Sequence, residues 1–123
     1  MKRKILLVDD NKDLLLITQI ILKGQGYEIV QATSVEEAEH KIKIHSPALI
    51  LLDVCIHDGE DGKEFCSRLK SQSETNSIRV ILMSCYDCDE YSTVGDDFLP
   101  KPFDYNELVN KVKDQMMQAE LVS

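Results

Sequence analysis

Short apolar stretches alternate with longer amphipathic segments along almost the whole chain. The apolar stretches predict five strands, at about residues 4–9, 27–32, 48–53, 78–84 and 96–100. Apolar side chains at helical spacing predict helices at about 12–23, 34–44 and 63–71, and a last helix that begins after Asp104. Regular alternation of strands and helices is typical of an α/β protein whose parallel sheet carries helices on both faces. The crossover connections are expected to be right-handed.

Local signals mark where several of these helices begin and end. Asn11 is a predicted N-cap of the first helix, and Gly24 and Gly26 follow its last turn. Ser34-Val35-Glu36-Glu37 fits a capping box, and Asp104-Tyr105-Asn106-Glu107 has the same pattern before the last helix. The apolar stripes of the later helices are expected to be buried; they comprise Phe65, Leu69, Leu108, Val112 and Met116.

Acidic residues follow two of the apolar stretches directly. The run from Ile5 to Val8 ends in Asp9 and Asp10, and the run from Ala48 to Leu52 ends in Asp53. Open α/β sheets bind their ligands outside the carboxyl ends of the strands. If these two strands are neighbours, three carboxylates share one crevice and repel one another. A divalent cation would relieve the repulsion, and a cluster of hard oxygen ligands suits Mg²⁺.

Composition narrows the function further. The chain has 123 residues, which fits a single domain over 1–123, and 43% of them are apolar. Its 22 acidic against 14 basic residues give a net charge of −8. This charge argues against nucleic-acid binding, because the phosphate backbone requires a basic face. The absence of a signal-peptide pattern and of an apolar stretch of ~20 residues predicts a cytoplasmic protein without a membrane span, whose four cysteines are reduced.

Five motifs occur in order at the ends of predicted strands or in the loops after them. They are Val8-Asp9-Asp10-Asn11, Leu52-Asp53, Asp61-Gly62, Ser84 and Lys101-Pro102-Phe103. With these motifs the chain resembles, over essentially its whole length, the receiver domain of bacterial two-component response regulators. The resemblance implies a flavodoxin-like (βα)5 fold with strand order 2-1-3-4-5. That order places the first and third strands side by side, as the acidic cluster requires.

The resemblance also implies a role for each acidic residue. Asp53 would accept a phosphoryl group as a carboxylate nucleophile and form an aspartyl phosphate. Asp10 would bind Mg²⁺ (or Mn²⁺) directly, and Asp9 would act mainly through water. Asp53 and the backbone carbonyl of Cys55 would complete the protein contacts to the metal.

Three further residues would handle the phosphoryl group and the response to it. Lys101 would pair with the phosphoryl oxygens, and Ser84 would donate a hydrogen bond to one of them. Ser84 and Phe98 match the hydroxyl and aromatic residues of the family that move together on phosphorylation. The movement follows because the added charge biases a two-state element. The Lys101-Pro102 peptide bond is expected to be cis by the same resemblance.

The chain departs from the family pattern in two segments. In residues 54–62, His57 stands where the family usually has a proline, and the loop is one residue longer. Between Ser84 and Lys101 the chain is several residues short, so a fourth helix compressed into 85–95 is expected to be short or absent. The family often dimerises through that region, which makes a monomer or a weak homodimer the expectation here.

The resemblance implies a phosphorylation-dependent signalling switch and not a turnover enzyme. A histidine kinase or phosphotransfer protein would supply the phosphoryl group, and an unknown downstream protein would read the changed surface. The alternative is an interaction module of the same fold that no longer depends on phosphorylation. A phosphatase with an Asp nucleophile typically has a second Asp two positions later, where this chain has Cys55. Both a stand-alone receiver and a receiver within a longer regulator or hybrid kinase remain open.

The cysteines offer one competing site. Cys85-Tyr86-Asp87-Cys88 is a CxxC motif, and with Cys55 and His57 it would supply ligands for zinc or a redox pair. The chain has no second CxxC motif. We therefore interpret the cysteines as unconnected thiols.

Overall fold

The computed structural model describes residues 3–54, 61–84 and 94–122. Five strands and four helices lie within these ranges. In chain order they are β1 (Lys4–Val8), α1 (Lys12–Gly24), β2 (Glu28–Ala32), α2 (Val35–His45), β3 (Leu49–Asp53), α3 (Gly62–Ser71), β4 (Arg79–Ser84), β5 (Asp97–Pro100) and α4 (Tyr105–Val122). Each agrees with an element predicted from the sequence, with ends that differ by at most one residue. The predicted short fourth helix and the altered loop fall mostly on 85–93 and 55–60, outside the described residues.

The five strands form one parallel sheet in the order β2-β1-β3-β4-β5. This order confirms the predicted flavodoxin-like fold. Val8 of β1 lies opposite Leu52 of β3, and Ser84 of β4 lies opposite Pro100 of β5. The carboxyl ends of these four strands therefore meet at one edge of the sheet.

Side chains that alternate along the central strands enter two separate cores. In β1, Leu6 and Val8 face one core, whereas Ile5 and Leu7 face the other. The first core is closed by α2 and α3 and the second by α1 and α4. The buried helical residues include all five that the sequence predicted, namely Phe65, Leu69, Leu108, Val112 and Met116. Burial on both faces explains why β1 and β3 are continuous apolar runs.

The predicted caps are present at the helix ends. The Asn11 side chain accepts hydrogen bonds from the backbone N–H groups of Asp13 and Leu14, both at 3.1 Å. The Ser34 hydroxyl accepts the N–H of Glu37 at 3.1 Å, and the Glu37 carboxylate accepts the N–H of Thr33 at 2.9 Å. The N–H groups of Asp13, Leu14 and Glu37 are donors that the first helical turn leaves without a partner, and Glu37 also accepts the N–H of Thr33, just before the N-cap.

No helix in the described ranges is both long enough and apolar enough to cross a membrane.

Candidate functional site

Three carboxylates meet where β1 and β3 end. Oxygen atoms of Asp9, Asp10 and Asp53 all lie within 4.8 Å of one another. Asp9 is 1% exposed and Asp53 is 5% exposed, whereas Asp10 is exposed to solvent. The sheet thus brings together the three acidic residues that the sequence placed at strand ends. The apolar runs predicted that these residues end strands, and the strand order implied by the family resemblance made the two strands neighbours, which together predicted the cluster.

Hydrogen bonds hold the buried Asp9 carboxylate through both of its oxygens. Oδ1 accepts the backbone N–H of Asn11 at 2.9 Å, and Oδ2 accepts a hydrogen bond from Lys101 Nζ at 2.8 Å. The same Asn11 caps α1 with its side chain. The start of α1 therefore orients one of the acidic residues of the cluster.

Lys101 supplies a positive charge to two of the three carboxylates. Its Nζ lies 2.8 Å from Asp9 Oδ2 and 3.3 Å from Asp53 Oδ2, and its side chain is 14% exposed. Burial lowers the pKa of Lys101, but the hydrogen bond and charge of Asp9 and the charge of Asp53 outweigh burial, so the pKa is raised above its usual range. Lys101 is therefore a protonated cation at neutral pH.

The backbone around Lys101 fixes its position relative to β4. The Lys101 N–H donates to the carbonyl of Ser84 at 2.7 Å, and the Lys101-Pro102 peptide bond is cis, as the resemblance implied. Ser84 is fully buried at the end of β4, one residue beyond Met83, which lies opposite Asp53. The structure therefore brings Ser84 to the same sheet edge as Asp53 and Lys101.

Phe98 lies on β5, two residues before Pro100, which is at this edge. It pairs with Leu82 across β4 and β5, and its partly buried ring packs against the core that α2 and α3 close. Cys55, which the resemblance assigns to the metal, lies outside the described residues, as do Cys85 and Cys88 of the CxxC motif and His57. Cys66, the one cysteine within the described ranges, is fully buried on α3, and burial raises the pKa of its thiol to about 11.

The side chains of the cluster fit a divalent cation. Three carboxylates against one ammonium group leave an excess of negative charge, and carboxylate oxygens are the ligands that Mg²⁺ prefers. Both oxygens of Asp9 accept hydrogen bonds, and Asp10 is the solvent-exposed carboxylate of the cluster. The contact between Asp9 and Lys101 is a feature that sequence reasoning missed. No local signal connects two residues 92 positions apart.

Comparison with known proteins places this site in a family. The sequence model of the response regulator receiver domain matches residues 5–113. The chain belongs to the response regulator receiver family.

Individual relatives show the same relationship. The chain is 33% identical to the alkaline phosphatase synthesis transcriptional regulatory protein PhoP of Bacillus subtilis (strain 168), in an alignment that covers 100% of this chain and 52% of that protein. The chain thus spans about half the length of this relative.

Two solved structures extend the comparison. A CheY-like receiver domain protein from Methanospirillum hungatei JF-1 is 26% identical with a TM-score of 0.89, over 100% of both chains. The receiver domain of a signal transduction histidine kinase from Syntrophus aciditrophicus is 28% identical with a TM-score of 0.84, over 94% of this chain and 90% of that chain. Similar receivers therefore occur in different molecular contexts.

Proposed function

We propose that residues 1–123 form one receiver domain that acts as a phosphorylation-dependent signalling switch. Asp53 accepts the phosphoryl group, the acidic cluster would hold Mg²⁺ (or Mn²⁺), and a downstream protein reads the altered surface. The observation that carries this proposal is the cluster of Asp9, Asp10 and Asp53 within 4.8 Å, with Lys101 against two of its members.

The chemistry proposed for Asp53 is that of the family, and the position of its carboxylate within the acidic cluster supports it. A carboxylate oxygen of Asp53 forms a bond to the phosphorus of a phosphohistidine on the donor protein. The bond between phosphorus and the histidine nitrogen breaks, and the imidazole leaves with the electron pair and takes up a proton. Hydrolysis of the resulting acyl phosphate resets the switch, so the protein takes part in its own dephosphorylation without turning over a separate substrate.

Charge neutralisation is the main requirement of such a transfer. A dianionic phosphoryl group approaches a site that already holds three carboxylates. Asp10, Asp9 and Asp53 would hold the cation, which would supply positive charge to the site. Lys101 supplies a second positive charge when it moves from Asp9 toward the phosphoryl oxygens. The Ser84 hydroxyl adds a hydrogen bond from the end of β4.

The response to phosphorylation is proposed to start at Ser84 and Phe98. Phosphorylation adds about −1.5 to −2 charges at neutral pH. Ser84 lies next to the acceptor strand, and its backbone carbonyl accepts a hydrogen bond from the N–H of Lys101. A shift of either residue toward the phosphate would therefore displace the other. Phe98 lies three residues before Lys101 on β5 and is only partly buried. The ring already packs against the core that α2 and α3 close, and its rotation further into that core would change the outer surface of β5.

A surface beside the acid cluster fits the phosphodonor protein. Leu16, Ile17 and Ile20 of α1 are each more than half exposed. Helix α1 begins at Lys12, directly after Asp10 and its N-cap. A helical donor that buries these apolar side chains would hold its phosphohistidine beside the start of α1, next to Asp53. This partner is proposed to be a sensor histidine kinase or a phosphotransfer protein, in the cytoplasm.

Intact mass spectrometry after incubation with acetyl phosphate tests the proposal. Wild-type protein with Mg²⁺ should gain the mass of one phosphoryl group, and EDTA should prevent the gain. Asp53→Asn should gain nothing. Asp104→Asn is the matched control, because Asn also caps a helix and Asp104 lies outside the carboxylate cluster, so it should react like wild type.

Two results would count against the proposal. Phosphorylation of Asp53→Asn would place the acceptor elsewhere. No gain in wild type, combined with no binding of beryllofluoride, would favour an interaction module that does not depend on phosphorylation.

A further inference from the structure

Gly62 is a buried glycine that the chemistry described so far does not use. It is the first residue of α3 and its backbone lies against the end of β3, where its N–H donates to the carbonyl of Val54 at 3.3 Å. Asp61, the residue before it, caps α3 by accepting the N–H of Glu64 at 2.8 Å. The Asp-Gly motif therefore joins the helix to the strand that carries Asp53.

The space around Gly62 admits no side chain. A Cβ atom at this position would lie 2.3 Å from the backbone oxygen of Asp53, 2.9 Å from its carbonyl carbon and 2.7 Å from Cα of Val54. Ordinary van der Waals contact begins at 3.4 Å, so a methyl group would require about 1 Å of added separation. All three neighbours are backbone atoms, which cannot turn away as the end of a flexible side chain can.

Both sides of this contact are held in place. On the strand side, Asp53 pairs with Met83 of β4, and the N–H of Val54 donates to the carbonyl of Met83 at 3.0 Å. On the helix side, Phe65, Cys66 and Leu69 anchor α3 in the core. The separation that a methyl group needs must therefore move either the backbone of Asp53 or the start of α3.

We propose that Gly62 is a positioning residue for Asp53. Because Gly62 has no side chain, α3 contacts the Asp53 backbone directly. This contact fixes the position of the Asp53 carboxylate relative to Asp9, Asp10 and Lys101. This inference rests on the proposed role of Asp53 as the phosphoryl acceptor. Displacement of a reacting group by about 1 Å can slow a reaction by about 100-fold. Gly62→Ala should therefore react slowly even in molecules that are fully folded.

The test compares Gly62→Ala with two other glycine substitutions. A Cβ at Gly24 meets nothing within 4 Å, so Gly24→Ala controls for the effect of alanine in a helix. A Cβ at Gly95 meets the Leu82 side chain at 3.0 Å, so Gly95→Ala controls for a steric strain that does not touch Asp53. Each variant is labelled with acetyl phosphate and Mg²⁺ at a temperature where its unfolding curve shows it to be fully folded.

We expect the maximal labelling rate of Gly62→Ala to fall about 10- to 100-fold. The acetyl phosphate concentration that gives half of the maximal rate should change little. The other two variants should react at the wild-type rate. The backbone and carboxyl NMR shifts of Asp53 should move in Gly62→Ala and not in the controls. A wild-type rate in folded Gly62→Ala, or an equal loss in Gly95→Ala, would overturn the proposal.

The NMR comparison separates this proposal from the proposed function. If wild type accepts no phosphoryl group, the function fails, but a displaced Asp53 in Gly62→Ala still shows the positioning contact. Unmoved Asp53 signals refute it in either case. If Gly62→Ala is unfolded in buffer, the same measurements are made in trimethylamine N-oxide, which favours the compact state. A wild-type labelling rate under that condition would equally refute it.

Discussion

Replacing Lys101 by methionine removes the ammonium group from the acid cluster while keeping an unbranched side chain of similar length. Lys101 Nζ lies 2.8 Å from Asp9 and 3.3 Å from Asp53, and the three side chains are 14%, 2% and 7% exposed. These are buried ion pairs, which water screens poorly. Lys101→Met therefore leaves buried carboxylates with less positive charge beside them, and the folded state should lose stability.

The size of the loss follows from two limits. Removal of one partner from a buried ion pair costs about 3–5 kcal/mol. If the cluster takes up a proton instead, the loss in free energy of unfolding cannot exceed the cost of that protonation. Protonating an ordinary aspartate at pH 7 costs about 4 kcal/mol. We expect Lys101→Met to lose about 3–4 kcal/mol at pH 7 without metal. Saturating Mg²⁺ should restore most of it, and a recovery of about 2.8 kcal/mol corresponds to about 100-fold tighter Mg²⁺ binding than in wild type.

Urea unfolding in EDTA and in excess Mg²⁺ measures both quantities. Lys111→Met is the matched control, because Lys111 Nζ lies 3.0 Å from Asp97 in a pair whose side chains are 31% and 28% exposed. An ion pair this accessible to water contributes about 0–1 kcal/mol, and its loss should not depend on Mg²⁺. The reasoning is refuted if Lys101→Met is as stable as wild type in EDTA, or if its loss is the same with and without Mg²⁺.

Three further predictions concern titration, thiol reactivity and helix capping. Because the pKa of Lys101 is raised above 10.5, its contribution to the free energy of unfolding is present at neutral pH and lost as pH rises through the raised value; wild-type stability should fall there relative to Lys101→Met. Burial raises the pKa of Cys66 to about 11, so iodoacetamide at about pH 8 should modify Cys66 only in urea, as peptide mapping would show. Asp61→Ala should lose about 1 kcal/mol in urea unfolding and Asp61→Asn almost none, and equal losses would contradict the capping role.

The alternation of strands and helices and the positions of the acidic residues at strand ends were predictable from local patterns, whereas the strand order and the placing of Ser84 and Lys101 came from the family resemblance. A strand buried on both faces must be apolar throughout, so the runs before Asp9 and Asp53 identified central strands of a parallel sheet. Their parallel arrangement then placed the acidic residues at one edge. Helix ends were equally local, since Asn11 and Ser34 cap helices that begin at the next residue.

The contacts that sequence did not predict join segments that are far apart. Whether Lys101 is nearer to Asp9 or to Asp53 depends on how the chain after β5 crosses the sheet edge, and no pattern along the chain encodes that. The Asp61-Gly62 motif was one of the five that carried the family resemblance, but the contact of Gly62 with the Asp53 backbone depends on the angle at which α3 meets β3. Such distances become available only when the packed elements are known.

In the proposed function, the arrangement that destabilises this site would also make it responsive. Three carboxylates within 4.8 Å oppose folding, and they stand together because two apolar strands, specified by their burial, end at the same edge. Lys101 offsets only part of the negative charge. In the proposed switch, a site balanced in this way would change its free energy strongly when a cation binds or a phosphoryl group is added. The N–H of Lys101 donates to the carbonyl of Ser84 at that edge, so a change in the charge of the site would affect the ends of β4 and β5 together. A site whose charges were balanced and paired would give a more stable protein, but adding a phosphoryl group or a cation to it would change its free energy less.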